Sequence, residues 1–217
     1  MIKYFKYIKY ILLLVLIIIL LIYTNHSKKE ITIDEVNNLM IIAHKEDGLI
    51  WGGNNLLNDN YLVVCITCTE NDKDFIKIMD KTNNLYVLLN YDEETDFYEE
   101  RNILNRDLSK YLNMKNWDKV VTHNEEGEYG SNQHVIINSY VKKLINNKDI
   151  LYYFNKYYTN DNLGENSYYF YKLGGKEIDK KIKIIGMLND LEYVNEFKHI
   201  IPYEEFIPYE EWRNKYE

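Results

Sequence analysis

Two cysteines and two prolines occur in 217 residues, against 22 tyrosines. Asparagine, lysine and isoleucine are also heavily used, so the proline scarcity belongs to a general compositional bias. Cys65 and Cys68 stand in "YLVVCITCT", which reads as a buried strand. Residues three apart on a strand face opposite sides, and a redox Cys-x-x-Cys pair would open a helix beside a βαβ unit. Two unpaired core thiols are therefore expected. Clustered positive charge is lacking as well. The net charge is −8, and Lys3, Lys6 and Lys9 with no acid among residues 1–24 leave −11 on the remainder. Phosphate backbones are bound by clustered lysine and arginine, so a nucleic-acid partner is excluded. No low-complexity linker or long repeat divides the chain, and 46% apolar content supplies one core.

The N-terminus holds an uninterrupted apolar run, "YILLLVLIIILLIY", residues 10–23. With Tyr7, Ile8 and a snorkelling Lys9 it approaches the roughly 20 residues that cross a bilayer. Tyrosines at both ends suit the interfacial belts. No small-x-small cleavage site follows in "TNHSKKE", which favours an uncleaved anchor over a signal peptide. The expected organisation is a transmembrane anchor over 1–24, a polar tether over 25–34 and one domain over 35–217. This makes the protein a single-pass membrane protein, with lysines on both flanks of the span leaving the side of the domain open.

Downstream the pattern alternates. Strands are expected at 38–43, 61–68, 85–91, 117–123 and 149–158. Helices are expected at 48–58, 72–83, 97–113, 131–147 and 180–197, and "HIIPYEEFIPYEEW" reads as a loop. Continuous apolar strands alternating with helices imply an α/β fold: a Rossmann-like, three-layer parallel sheet covered on both faces. Ligands in such folds bind beyond the carboxyl ends of the strands. His44 directly follows the first strand, and the loop 123–130 follows the fourth and leads to His134.

An imidazole and a carboxylate from one tight turn, His44 and Asp47, suit a metal but do not fix one. His134 can supply a third ligand from the same sheet edge. Three protein ligands with one open position is the layout of a catalytic zinc, whereas a structural zinc closes its shell with four. Glu46, between the first two, is placed as a general base.

"AHKEDGLIWGG" resembles the Ala-His-Pro-Asp-Asp-Glu…Gly-Gly motif of the PIG-L/LmbE-like family of metal-dependent N-acetylglucosaminyl deacetylases. "VVTHNEEGEYGSNQH" is similar to that family's second motif, Thr-His-Asp/Asn…Gly-Glu-Tyr-Gly-His-x-x-His. The resemblance implies that His44, Asp47 and His134 hold Zn2+ or another divalent metal. It implies that Glu46 stands for the family's aspartate base and that Tyr129 closes over the substrate. The implied reaction is deacetylation of an N-acetylated amino-sugar conjugate, and the anchor points to a lipid-linked one such as N-acetylglucosaminyl-phosphatidylinositol.

Departures are specific. Ser131 stands where the family has a histidine that stabilises the oxyanion or acts as acid, Lys45 replaces proline, and Gly48 replaces an acidic residue. Loss of one oxyanion donor costs about two to three orders of magnitude in rate, so Ser131 leaves Tyr129 or His123 to substitute. A membrane-tethered pseudoenzyme, binding carbohydrate or a partner without turnover, is the alternative from another class, and an amidase for a soluble N-acyl amine is a second. Glu128 is read as holding its loop and is assigned no chemistry.

Overall fold

The computed structural model describes residues 10, 14–15, 32–95, 97, 99–167, 170–189 and 191–216. The chain divides into two units, Met1–Thr32 and Ile33–Glu217. Of the first, Tyr10, Leu14 and Val15 are helical. The rest of the expected span, and the tether up to residue 31, lie outside the described residues. Among the described residues no helix is long and apolar enough to cross a membrane.

The second unit alternates as expected. β1 (Asn38–Ile42) leads to α1 (Asp47–Asn58), β2 (Tyr61–Cys65) to α2 (Lys73–Thr82), and β3 (Leu85–Leu88) to α3 (Arg101–Leu112). β4 (Lys119–Thr122) then leads to α4 (Asn132–Leu144), followed by β5 (Leu151–Phe154) and the short α5 (Asn160–Asn166). α6 (Gly175–Ile185), α7 (Leu191–Glu196), β6 (Phe206–Pro208) and α8 (Tyr209–Tyr216) complete the chain. Strand order is β3-β2-β1-β4-β5-β6. Leu39 to Ile42 of β1 and Val63 to Cys65 of β2 are wholly buried, as strands covered on both faces must be. The chain runs outward from β1 on one side and from β4 on the other, so the crevice between their carboxyl ends is the switch point where such sheets bind ligands.

Four expectations are corrected. The sheet is not wholly parallel: β6 pairs antiparallel with β5, through Tyr152↔Pro208 and Phe154↔Phe206. The second Pro-Tyr-Glu-Glu unit is therefore a strand end and a helix start, not a loop. Proline is tolerated on an edge strand because its missing N–H faces no partner, and Glu210 and Glu211 favour the helix N-terminus. The expected 180–197 helix is two, because α6 stops at its C-cap Gly186 and α7 starts afresh at Leu191. Finally, Cys65 and Cys68 are disulfide-bonded. β2 ends at Cys65, and the bend at Ile66 and Thr67 brings the two Cα atoms to 5.4 Å, where a continuous strand would have held the side chains on opposite faces.

Gly52 and Gly53 owe their place to packing. A Cβ on Gly52 would meet Phe206 of β6 at 2.9 Å, and one on Gly53 would meet the Lys181 stem at 3.1 Å. Gly52 is non-helical (φ −141°, ψ 16°), so α1 is kinked there. The amides of Asn54 and Asn55, just past the kink, donate to the Glu204 carboxylate at 2.9 and 2.7 Å. Glu204 in turn pairs with the wholly buried Lys181 at 2.8 Å.

Candidate metal centre

β1 delivers its chain end to the crevice and α1 begins at once. Asp47, in the first turn of α1, turns back to accept the His44 amide at 2.7 Å. His44 and Asp47 are thereby fixed in one tight turn. His134 comes from α4, whose buried stripe is His134, Ile137, Asn138 and Val141, spaced for one helical face. The structure therefore brings His44, Asp47 and His134 together, although 90 residues separate the two histidines.

The geometry is a near-equilateral triangle. His44 Nδ1 lies 3.3 Å from Asp47 Oδ2, His134 Nε2 lies 3.4 Å from the same oxygen, and the two nitrogens are 3.2 Å apart. A tetrahedral zinc with bonds of about 2.0–2.1 Å has ligand atoms separated by about 3.3 Å. The tautomers agree with that reading. His44 Nε2 faces the Gln133 side-chain oxygen at 2.6 Å and His134 Nδ1 faces Glu128 Oε2 at 2.6 Å, so each outer nitrogen carries the hydrogen. The inner nitrogens then present lone pairs to each other and to a carboxylate. Three converging acceptors repel unless a cation, proton or metal, lies among them. Asp47 Oδ1 is also buried without a hydrogen-bond partner among the described residues. The residues fit a divalent cation.

The same crowding explains the acid–base behaviour. Burial opposes a charge on His134, but Asp47 and Glu128 outweigh it and raise its pKa to about 10. Burial likewise opposes the charge on Asp47, and the imidazoles of His134 and His44 hold its carboxyl well below the usual range. Glu46 is pushed up to about 7, first by burial and then by the neighbouring Asp47 charge. It lines a cavity of about 50 Å³ with His44, Lys45, Thr67, Cys68, Asp72 and Glu93. Lys45 spans Asp72 at 3.3 Å and Asp74 at 3.6 Å.

His123 converges with Glu128 and His134 in a second group of possible ligand atoms, but both its nitrogens are already engaged. Its Nε2 accepts the Ala43 amide at 2.9 Å and its Nδ1 donates to Glu128 Oε2 at 2.9 Å, a neutral tautomer in agreement with a pKa lowered first by burial and then by His134. Its ring stacks on His134 with centroids 3.8 Å apart.

Ser131 is the N-cap of α4, its hydroxyl accepting the His134 amide at 3.4 Å. Tyr129 stands edge-on to His134, centroids 5.2 Å apart, and is 37% exposed.

Two residues outside the expected set prove central to the geometry. Glu128, read only as a loop holder, accepts from both His123 and His134 through Oε2 and from the Asn124 amide through Oε1 at 2.7 Å. These bonds hold it in the left-handed region (φ +52°), where a non-glycine residue is strained. Gly127 precedes it (φ +67°), and a side chain there would collide with the Ser131 carbonyl. Gln133 holds His44 from one side and the Glu93 and Thr95 carbonyls from the other. The signal for both was proximity: each lies within six residues of a predicted ligand, with a side chain able to accept from imidazole.

Carboxylates behind ligand histidines orient the ring and raise its basicity. Glu128→Gln is expected to weaken divalent-metal affinity by about ten- to a hundredfold, read by competition with a chromophoric chelator. An unchanged affinity would remove Glu128 from the centre.

No protein-family model matches the chain. A curated relative, an uncharacterised protein of Acanthamoeba polyphaga mimivirus, is 33% identical over 125 residues, 48% of this chain and 55% of that protein. The chain thus spans about half the length of the relative it matches. Among solved structures it is similar to GalB, the 4-carboxy-2-hydroxymuconate hydratase of Pseudomonas putida. That match has TM-score 0.53 at 12% identity, over 76% of this chain and 83% of that one. It is also similar to a conserved protein of Thermus thermophilus, with TM-score 0.52 at 11% identity, over 80% and 94%. A third is a deacetylase triple mutant involved in the teicoplanin biosynthetic pathway, with TM-score 0.53 at 11% identity, over 76% and 89%. The likeness is one of fold. A hydratase and a deacetylase share it, so the reaction must be argued from the site.

Proposed function

We propose that the chain is a divalent-metal-dependent N-deacetylase, with zinc as its cation, acting on the acetamide of an N-acetylglucosaminyl conjugate. The observation that carries this reading is the triangle of His44 Nδ1, Asp47 Oδ2 and His134 Nε2, whose 3.2–3.4 Å edges match one face of a zinc tetrahedron. The resemblance of both sequence motifs to the PIG-L/LmbE-like family supports it. The apolar run at 10–23 is proposed as a membrane anchor, which makes N-acetylglucosaminyl-phosphatidylinositol the first substrate to try.

In the proposed reaction water adds to the acetyl carbonyl carbon, the carbon–nitrogen bond breaks, and acetate and a free amine result. A cation held by the triad supplies Lewis acidity for that addition. Glu46 takes the proton from water and returns it to the departing nitrogen, a task suited to a carboxyl with pKa near neutrality. Asp47 and Glu128 stay ionised, the first holding the cation and the second keeping the outer hydrogen on His134. Tyr129, beside His134, is the hydroxyl proposed to meet the developing oxyanion, because the Ser131 hydroxyl is engaged at the helix end.

Amine release from N-acetylglucosaminyl-phosphatidylinositol and simpler N-acetylglucosamine conjugates, by the zinc-loaded full chain in mild detergent, tests the reading. Glu46→Gln is expected to lower kcat by about two to four orders of magnitude while zinc is retained. Activity is expected to fall on acidification, since Glu46 must be ionised to accept a proton. Its midpoint near 7 in the metal-free protein moves lower with the cation's charge nearby. Zinc bound stoichiometrically without turnover on any conjugate would favour the second reading, a tethered carbohydrate-binding module, to which the helix-cap role of Ser131 already points.

A further inference from the structure

Aromatic rings lead outward from the triad. Tyr129 stands against His134, and Tyr157 follows, edge-on to Tyr129 with centroids 6.5 Å apart. Both are partly exposed. Behind them Trp51 and Phe197 are buried and pack on the pair: Phe197 lies 5.0 Å from Tyr129 and 5.7 Å from Tyr157, and Trp51 lies 6.4 Å from Tyr157. Trp51 is one helical turn after Asp47 on α1, and Tyr157 lies three residues past the carboxyl end of β5. The ring of Tyr157 is thus anchored from both sides of the crevice, by the helix that starts at a triad residue and by the tyrosine over His134.

A partly exposed aromatic ring held rigidly beside a reaction centre is matched to a flat ligand with an apolar face and polar edges. Pyranose rings have that form, with C–H groups on the face and hydroxyls around the rim. Because the platform is already packed, little side-chain entropy is lost when a ligand covers it.

We propose that Tyr157 is a substrate-positioning residue whose ring is the platform for a pyranose of the substrate, separated from the metal triad by the single ring of Tyr129. This rests on the deacetylase reading for the substrate's acetamide, but not for the platform itself. Tyr157 touches no reacting atom, so it acts on binding and leaves the chemical step alone.

The test uses the zinc-loaded full chain and two variants, Tyr157→Phe, which keeps the aromatic face, and Tyr157→Leu, which keeps apolar bulk without it. With an N-acetylglucosamine oligosaccharide, Tyr157→Leu is expected to raise KM about tenfold with kcat within about twofold, and Tyr157→Phe to stay near the parent. With N-acetylethanolamine, which has no sugar ring, all three should agree. Equal losses on both substrates, or a fall in kcat at unchanged KM, would overturn the platform.

Equilibrium binding of the oligosaccharide separates this inference from the hydrolase reading. Binding about tenfold weaker in Tyr157→Leu supports the platform even if no amine is released from any substrate. Equal binding by the parent and Tyr157→Leu, or none by the parent, overturns it.

Discussion

Asp47→Ala is expected to strip the divalent cation from the protein and take hydrolysis to background, a loss of at least about a thousandfold. Residues behind a metal ligand are alone worth about ten- to a hundredfold, and Asp47 carries the only carboxylate of the triangle. Its removal also withdraws the acceptor of the His44 amide and the charge that most raises His134, so the two imidazoles would face each other without a counter-charge. Asp47→Asn sharpens the test by keeping the shape and the bond to the His44 amide while losing the charge. Both variants should fold with the parent's far-ultraviolet signature and carry no zinc after dialysis. Stoichiometric zinc in dialysed Asp47→Ala would place the metal elsewhere and would sink the assignment of His44, Asp47 and His134.

Glu204→Ala is expected to be the most destabilising single change outside the centre, by about 3–5 kcal/mol. The Glu204 carboxylate accepts the Asn54 amide, the Asn55 amide and the Asn55 side chain, and pairs with Lys181. Truncation leaves a wholly buried ammonium unpaired and three donors unmet at the kink of α1. Burial already lowers the Lys181 pKa, with Glu204 opposing that fall, so the variant would force the lysine towards its neutral form. For a chain of this size the loss corresponds to roughly 10 °C in melting temperature. Lys181→Met with Glu204→Leu should recover only the share due to the unpaired ammonium, because apolar side chains can replace a buried ion pair but leave the three donors at the kink unmet. A single variant that melts with the parent would show that water reaches this pair.

Much of this was legible in the chain before folding. The burial of β1 and β2 follows from unbroken apolar runs, and the α2 and α4 stripes from helical spacing. Strand-end placement of His44 and of the 123–130 loop follows from where those runs stop. Local pattern and tertiary context part at three places. The apolar run "YLVVCITCT" carries no sign of the bend after Cys65 that lets Cys68 turn back. The run over 180–197 is helix-like with Gly186 inside, yet α6 ends there. The final segment reads as a loop because three residues of edge strand, ending in a proline, have no periodicity to read.

What the sequence determined by itself was the strand–helix alternation from β1 to β5, the α/β class it implies and the strand-end position of the candidate ligands. Each is a property of short stretches: alternation of apolar runs, and chemistry at their ends. Tertiary structure decided what those residues do to one another. Only folding shows one carboxylate of Glu128 shared by two imidazoles, Gln133 turning the lone pair of His44 inward, Ser131 spent on a helix end, and Glu204 reaching Asn55 across 149 residues. The reason is physical. Hydrophobic periodicity is written in neighbouring residues, whereas hydrogen-bond partners and pKa shifts depend on distances of a few ångströms between segments that meet only in the folded chain.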